Sequence, residues 1–172
     1  EAATPEFATG GSANGTNEET AMGLTTDTWK DPYKTAAAGG LGYPTCARPY
    51  QTVISDINPS YDGDLPGSAF TGAVVPTGVT PANIAGFSAS GQGQTIWNHE
   101  FTGARNVFIG DVGGVTDGAP TAKSASSFGN IRGLAPEEPT KTGTYYSASV
   151  ARFGKTTDLN SALNDQKMST YS

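Results

Sequence analysis

Apolar and polar positions along this chain alternate over short stretches, and the best-patterned stretch is residues 94–112. Ile96, Trp97 and Phe101 precede the most apolar triplet of the chain, Val107-Phe108-Ile109. A period of two residues is typical of half-buried β-strands, and a short Gly-containing connection is typical of a hairpin turn. The pattern therefore predicts a central hairpin of strands 94–102 and 105–112.

Other parts of the chain show the same short-strand pattern and one candidate helix. Thr157 or Asp158 can cap a helix that runs to about Lys167, because apolar residues follow at partial helical spacing. Residues 116–143 carry turn-forming residues and are predicted to be a loop. The remaining strand candidates are residues 51–57, 73–75, 83–88 and 144–153.

These elements predict an all-β chain with little helix. The expected architecture is a β-sandwich or barrel-like module of short strands with long loops, an extended N-terminal arm and one short C-terminal helix. Three parts are expected: residues 1–50 as an acidic arm that contains Pro, Gly and aromatic residues, 51–153 as the β domain, and 154–172 as the C-terminal helix and tail.

Charge is distributed unevenly between the two halves of the chain. Residues 1–86 contain three Lys or Arg and nine Asp or Glu, whereas residues 87–172 contain seven of each. An acidic first half without a basic groove argues against direct nucleic-acid binding. No apolar run approaches the roughly 20 residues that span a bilayer, so we expect no membrane span. Cys46 is the only cysteine, which excludes an internal disulfide.

The apolar content is low for a folded chain of this length. Leu, Ile, Val and Phe account for 27 of 172 residues, a share typical of chains that cannot form a large core. Ordering each residue costs about 1–2 kcal/mol of backbone entropy, and a small core offsets little of it. We therefore expect contacts with neighbouring chains to supply much of the order.

Aromatic residues in Pro- and Gly-rich surroundings are the candidate partner contacts. Aromatic side chains dominate buried area in cores and in interfaces alike. They could therefore fill a partner's pockets or this chain's own sparse core. The residues predicted to contact a partner are Phe7, Trp29, Tyr33, Tyr43 and Tyr50.

An oxygen-rich cluster in residues 56–64 is the candidate metal site. Calcium binds six to eight oxygen ligands, and closely spaced carboxylates supply them. The spacing does not match an EF-hand, and the alternative is that the side chains bond their own backbone in consecutive turns. The candidate calcium ligands are Asp56, Asn58, Asp62 and Asp64, and no other cofactor is expected.

The candidate catalytic patterns are all incomplete. Residues 149–156 are a near miss to a phosphate loop, but Ser149 stands where that loop needs glycine, so a tight turn into a helix is preferred. Ser88 lacks the last glycine of a nucleophile elbow, and His99 is the sole histidine. Glu137 and Glu138 are adjacent and would point to opposite faces of an extended chain. We expect no catalytic residue and no enzymatic activity.

The preferred function is a non-enzymatic structural assembly subunit, either a minor or decoration protein of a viral shell or a subunit of a filament or surface layer. It would act in a virion or outside the cell, with other protein subunits as homo- or hetero-oligomeric partners. The alternative is a secreted carbohydrate-binding or adhesive β domain, assisted by calcium, with a glycan as its ligand.

Overall fold

A computed structural model of the chain describes residues 30–54, 63, 65–70, 83–135, 142–161 and 164–172. The chain divides into two units. The first comprises Glu1–Ala47 with Pro76–Val79, and the second comprises Arg48–Val75 with Thr80–Ser172. The three-part organisation expected from the sequence stays a prediction.

The described part of the first unit contains one 3-10 turn, Ala36–Ala38. The described part of the second unit combines two α-helices with six short strands and one 3-10 turn. In chain order these are β1 (Tyr50–Thr52), α1 (Ala89–Glu100), β2 (Arg105–Ile109), β3 (Asp111–Val112), β4 (Thr121–Ala125), the 3-10 turn Phe128–Asn130, β5 (Ile131–Arg132), α2 (Tyr146–Thr156) and β6 (Ser169–Tyr171).

Helix α1 occupies most of the stretch that was expected to be the first strand of the central hairpin. Ser88 caps the helix, because its extended backbone precedes the first turn and its Oγ accepts a hydrogen bond from the Gly91 amide at 3.2 Å. Ala89, Gly93 and Trp97 are buried at a spacing of four residues, which is one face of a helix. The strand prediction for residues 94–102 is wrong because burial there repeats every four residues instead of every two.

Helix α2 replaces the strand predicted for residues 144–153. Its buried side chains include Tyr146, Ser149 and Phe153, which again follow helical spacing. The α-helices contact each other directly, and the Ser149 hydroxyl donates to the Ala89 carbonyl oxygen at 2.8 Å. This buried hydrogen bond satisfies a polar side chain at the helix–helix contact.

The strands form three separate pairs. β2 and β4 are antiparallel, with Arg105 opposite Ala125 and Ile109 opposite Thr121. β3 and β5 are also antiparallel, whereas β1 and β6 are parallel. The strand predicted for residues 105–112 is present as two strands, β2 and β3, with Gly110 between them. The partner of β2 is β4, which lies in the stretch 116–143 that was expected to be a loop.

The C-terminal helix predicted from residue 157 is absent from the described residues 157–161 and 164–172. The Leu159 amide donates to the Gln166 carbonyl oxygen at 2.9 Å, and Asp158 Oδ1 accepts from the Gln166 amide at 3.0 Å. These two bonds turn the chain back towards β6. A local side-chain acceptor at Asp158 favours a turn as readily as a helix cap.

The three other strand predictions, for residues 51–57, 73–75 and 83–88, have different outcomes. Residues 83–88 are irregular and include a turn in which the Phe87 amide donates to the Ile84 carbonyl oxygen, so the strand predicted there is wrong. Residues 73–75 lie outside the described residues, as do residues 55–57 of the strand predicted for 51–57. Of its described residues, Gln51 and Thr52 belong to β1, whereas Val53 and Ile54 are not in a strand. The all-β sandwich or barrel is therefore wrong: the described residues form a small mixed structure of two α-helices and few short strands.

The core of the second unit lies where α1 meets the β2–β4 and β3–β5 pairs. Trp97 is its largest member, and the Trp97 indole N–H donates to the Gly103 carbonyl oxygen at 3.0 Å. The buried cluster comprises Trp97, Ile109, Val112, Ala125 and Ile131, with Val107, Phe128 and Leu134 packed against it. A cluster of this size agrees with the low apolar content of the sequence.

Candidate interaction loop

Residues 31–47 of the first unit form a closed loop, called here the interaction loop. The amides of Leu41 and Tyr43 donate to the carbonyl oxygens of Asp31 and Pro32 at 3.0 and 2.8 Å. The Asp31 carboxylate also accepts from the Tyr33 amide at 2.9 Å, which is the bond of an Asx turn. These bonds join the two ends of the loop although none of its residues is fully buried.

Two glycines allow the chain to reverse inside the loop. Gly39 adopts a positive φ of 82° after the 3-10 turn, and its amide donates to the Ala36 carbonyl oxygen. A Cβ on Gly40 would lie 2.1 Å from the Lys34 carbonyl oxygen, so only glycine fits there. The backbone between Lys34 and Leu41 is therefore fixed by contacts of main chain with main chain.

The closed loop presents apolar side chains to solvent. Tyr43 is 56% exposed and Leu41 is 50% exposed, and they flank Gly42 on the returning side of the loop. Exposed apolar side chains on a well-defined loop are available to bind another protein at a small cost in ordering entropy. Tyr43 is therefore accessible to a partner, and its role as a partner contact stays a prediction.

Tyr33 has a structural role in the same loop. Its side chain is half-buried, and its hydroxyl donates to the Ala47 carbonyl oxygen at 2.8 Å. Burial, with a smaller effect of the Asp31 carboxylate, raises the pKa of the Tyr33 phenol. Tyr33 thus holds the end of the loop instead of presenting a free aromatic face.

Tyr50 belongs to the second unit, at the start of β1. Its ring lies 6.0 Å from the ring of Tyr171 on β6, and the two side chains are 63% and 58% exposed. Ile54, just after β1, is 95% exposed. Phe7 and Trp29, the other two predicted partner contacts, lie outside the described residues. Leu41, Ile54 and Tyr171 are further exposed apolar residues. The aromatic pattern of residues 1–50 could not indicate them, because the first two are aliphatic and Tyr171 lies in the last strand.

Charged side chains at the β2–β4 and β3–β5 pairs form two ion pairs, called here the charge group. Lys123 Nζ lies 3.1 Å from an Asp117 carboxylate oxygen, and it also donates to the carbonyl oxygens of Ile109 and Ala119. Asp111 accepts from the Arg132 guanidinium at 2.6 Å. Hydrogen bonds from the Ala119 amide and from Lys123 lower the pKa of Asp117. Each described charge in the group has a partner, which is the arrangement expected of a structural network.

The candidate catalytic residues occupy structural or isolated positions. Ser88 is the cap of α1 and His99 lies in its last turn, eleven residues further on, so about 16 Å of helix separates them. Residues 149–156 are helical throughout, so their backbone cannot curl around a phosphate as a loop would. Cys46 is exposed in the interaction loop. Glu137 and Glu138 lie outside the described residues.

The candidate calcium ligands Asp56, Asn58, Asp62 and Asp64 also lie outside the described residues. Within the part of the chain that the structure describes, no group of three or more His, Cys, Asp or Glu side chains is placed to hold a metal ion. The described helices are also too short or too polar to cross a membrane.

Comparison with known proteins supplies the family. A family model described as "PilY1 homolog, second domain" matches residues 1–154. The chain is 47% identical over 129 residues to a protein of Xylella fastidiosa (strain Temecula1) described as "Type IV pilus biogenesis factor PilY1 homolog". That alignment covers 73% of this chain and 8% of the relative. No solved structure matches the chain. These matches favour the filament alternative of the sequence analysis and give no support to the viral-shell alternative.

Proposed function

The chain belongs to the family of the PilY1 homolog second domain, and on that premise we propose that it is a non-enzymatic domain that contributes protein–protein contacts to type IV pilus assembly. The observation that carries this proposal is the 47% identity to a protein described as a type IV pilus biogenesis factor. The chain spans 8% of the length of that relative, so the proposed role is that of one domain within a larger factor.

We further propose that the interaction loop makes the contact, with Leu41 and Tyr43 inserted into a surface of another pilus subunit. The loop backbone is closed by hydrogen bonds, so binding would order few additional torsions. Tyrosine is enriched among the few residues that supply most of the binding energy of an interface, so Tyr43 would be the main anchor. The site of action would be the cell surface or the extracellular space.

The test is a double variant, Leu41→Ser with Tyr43→Ser, introduced into the gene from which this chain is expressed in a bacterium that makes type IV pili. Surface pili are counted by electron microscopy, and the level of the factor is measured by immunoblot. We expect a loss of surface pili at an unchanged level of the factor. Phe108→Ser is the matched control, because Phe108 is an exposed apolar residue of the second unit.

Two outcomes would count against the proposal. Normal numbers of pili in the double variant would exclude the interaction loop as the contact. Equal loss of pili in the double variant and in Phe108→Ser would indicate a general effect of losing exposed apolar surface.

A further inference from the structure

Positive charge is concentrated at the interaction loop, in an otherwise acidic half of the chain. The three Lys or Arg of residues 1–86 all lie at positions 30–48, whereas Asp31 is the only Asp or Glu from residue 28 to residue 55. Lys30 and Lys34, which belong to the first unit, are both exposed. The loop therefore differs in the sign of its charge from the sequence on either side of it.

The Asp31 carboxylate is engaged by the backbone of the loop. Asp31 Oδ1 accepts hydrogen bonds from the amides of Tyr33 and Lys34, at 2.9 and 3.3 Å. Neither Lys30 nor Lys34 has an ion-pair partner among the described residues. Two lysines against one aspartate leave this segment positively charged, and both ammonium groups are available to carboxylates of another molecule.

Both lysines originate beside the apolar residues that the proposed contact uses. A Cβ on Gly40 would lie 2.5 Å from the Lys34 Cβ, so the Lys34 side chain leaves the backbone next to the residue that precedes Leu41. Lys30 precedes Asp31, whose carbonyl oxygen accepts from the Leu41 amide at 3.0 Å. Two long cationic side chains therefore begin close to the apolar centre of the loop.

We propose that the partner surface of the interaction loop carries Asp or Glu carboxylates around an apolar depression. An apolar centre with a polar rim is the usual anatomy of a protein interface, and the charges across it are complementary. Leu41 and Tyr43 fill the depression, and the ammonium groups of Lys30 and Lys34 pair with the carboxylates. The proposal rests on the proposed function, because it names the chemistry of the partner at the same loop.

The charge of the whole chain favours an acidic protein over a nucleic acid or an anionic membrane. The chain has a formal net charge of −6, which repels a uniformly anionic polymer or surface. Exposed charges more than about 10 Å apart are largely screened at 0.1 M salt, so a local group of carboxylates interacts mainly with the loop itself. Leu41 and Tyr43 also need apolar partner atoms, which a phosphate backbone does not offer.

The direct test uses bacteria that make type IV pili and carry the full-length factor. The cells are treated with a water-soluble carbodiimide, which joins a lysine amine to a carboxylate in contact with it, and cross-linked peptides are identified by mass spectrometry. We expect Lys30 or Lys34 to be joined to an Asp or Glu of another protein, in much higher yield than the exposed Lys155 of the second unit. Cross-links from Lys30 and Lys34 only to residues 1–172, or no cross-link to another protein, would overturn the proposal.

Charge reversal in the factor tests whether the carboxylates contribute to the contact. The variant is Lys30→Glu with Lys34→Glu, and the neutral comparison is Lys30→Gln with Lys34→Gln. Lys155→Glu with Lys167→Glu is the matched control, because it changes the net charge equally at two exposed lysines of the second unit. We expect charge reversal to remove surface pili at an unchanged level of the factor, neutralisation to remove fewer, and the control to remove none. Normal pili after charge reversal, or the same loss in the control, would overturn the proposal.

Failure of this proposal is distinguishable from failure of the proposed function. Loss of pili in the Leu41→Ser and Tyr43→Ser variant, with normal pili after charge reversal, would retain the contact and refute the acidic partner surface. Normal pili in both variants would refute both proposals. Lysine-dependent binding of the purified factor to phosphatidylglycerol vesicles, without a cross-link to another protein, would assign the loop to a lipid surface and also overturn the proposal.

Discussion

The Tyr146 hydroxyl donates a hydrogen bond to the Gly129 carbonyl oxygen at 2.9 Å and accepts one from the Ala69 amide at 2.8 Å. Tyr146 is fully buried in the first turn of α2, whereas Gly129 lies in the 3-10 turn that precedes β5. One phenolic oxygen therefore joins three segments that are distant in sequence. A small unit with few core side chains depends more than usual on such a connection.

Replacing Tyr146 with Phe tests this connection. The variant keeps the ring but leaves the Gly129 carbonyl and the Ala69 amide without the phenolic partner, and we expect a loss of about 1–3 kcal/mol in the free energy of unfolding. The measurement is urea denaturation of the purified chain. Tyr145→Phe is the control, because the Tyr145 ring stacks on Phe128 at 4.2 Å and is retained in that variant. Equal midpoints for Tyr146→Phe and wild type would contradict the prediction.

Replacing Gly93 with Ala tests the close approach of α1 to the 3-10 turn. A Cβ on Gly93 would lie 2.6 Å from the Gly129 backbone nitrogen, and backbone atoms cannot rotate away. Although alanine is the better helix former, we expect a net destabilisation of about 1–3 kcal/mol by overpacking. Gly114→Ala is the control, because nothing lies within 4 Å of its added Cβ. The midpoints of thermal unfolding of the two variants are compared with that of the wild type. A Gly93→Ala variant more stable than the wild type would refute the steric argument.

Strand β2 could be predicted from the sequence, whereas helices α1 and α2 could not. Val107-Phe108-Ile109 is a short apolar run of β-branched and aromatic residues, and β2 forms there. In α1, polar residues and two glycines dilute the helical pattern, and its buried face includes the small residues Ala89 and Gly93 beside Trp97. A face built from small residues gives little hydrophobic contrast, so the spacing of four residues was not apparent. Gly93 is buried against Gly129, which is 36 residues away in sequence.

The interaction loop could be predicted only in part. Tyr43 was recognisable as an aromatic residue in a Gly- and Pro-rich stretch, and it is exposed as a contact residue should be. Tyr33 has the same sequence context, yet its hydroxyl bonds to Ala47 within the loop. The two cases differ by a long-range hydrogen bond that composition and periodicity do not encode. The same holds for Tyr171, whose position beside Tyr50 follows from the pairing of the first strand with the last.

Replacing Lys123 with Met tests the charge group. Methionine keeps most of the apolar stem but leaves the carbonyl oxygens of Ile109 and Ala119 without the ammonium donor, so we expect destabilisation of about 1–3 kcal/mol. Lys155→Met is the matched control, since Lys155 is exposed and bonds only to the Ser169 hydroxyl at 3.1 Å among the contacts described. Urea denaturation measures the free energy of unfolding of both variants. If the two variants lose equal stability, the buried ammonium has no special structural role.

Replacing Asp117 with Asn tests the acid sensitivity of the same group. The pKa of Asp117 is lowered in the folded chain, first by the Ala119 amide and then by Lys123. A carboxylate with a lowered folded pKa stabilises the fold above its unfolded pKa of about 3.9, and that contribution is lost as the pH falls through the folded pKa. We therefore expect Asp117→Asn to unfold at lower urea concentration than wild type near neutral pH.

The difference between the two proteins should shrink as the pH is lowered and vanish once Asp117 is protonated in the folded wild type. Urea midpoints of both proteins, measured from about pH 6 down to about pH 2.5, span the unfolded pKa and test this. The Asp117 side chain is more than half exposed, so added salt should also reduce the difference at neutral pH. A difference that stays constant over the whole pH range would show that the loss in the variant comes from geometry and not from the charge of Asp117.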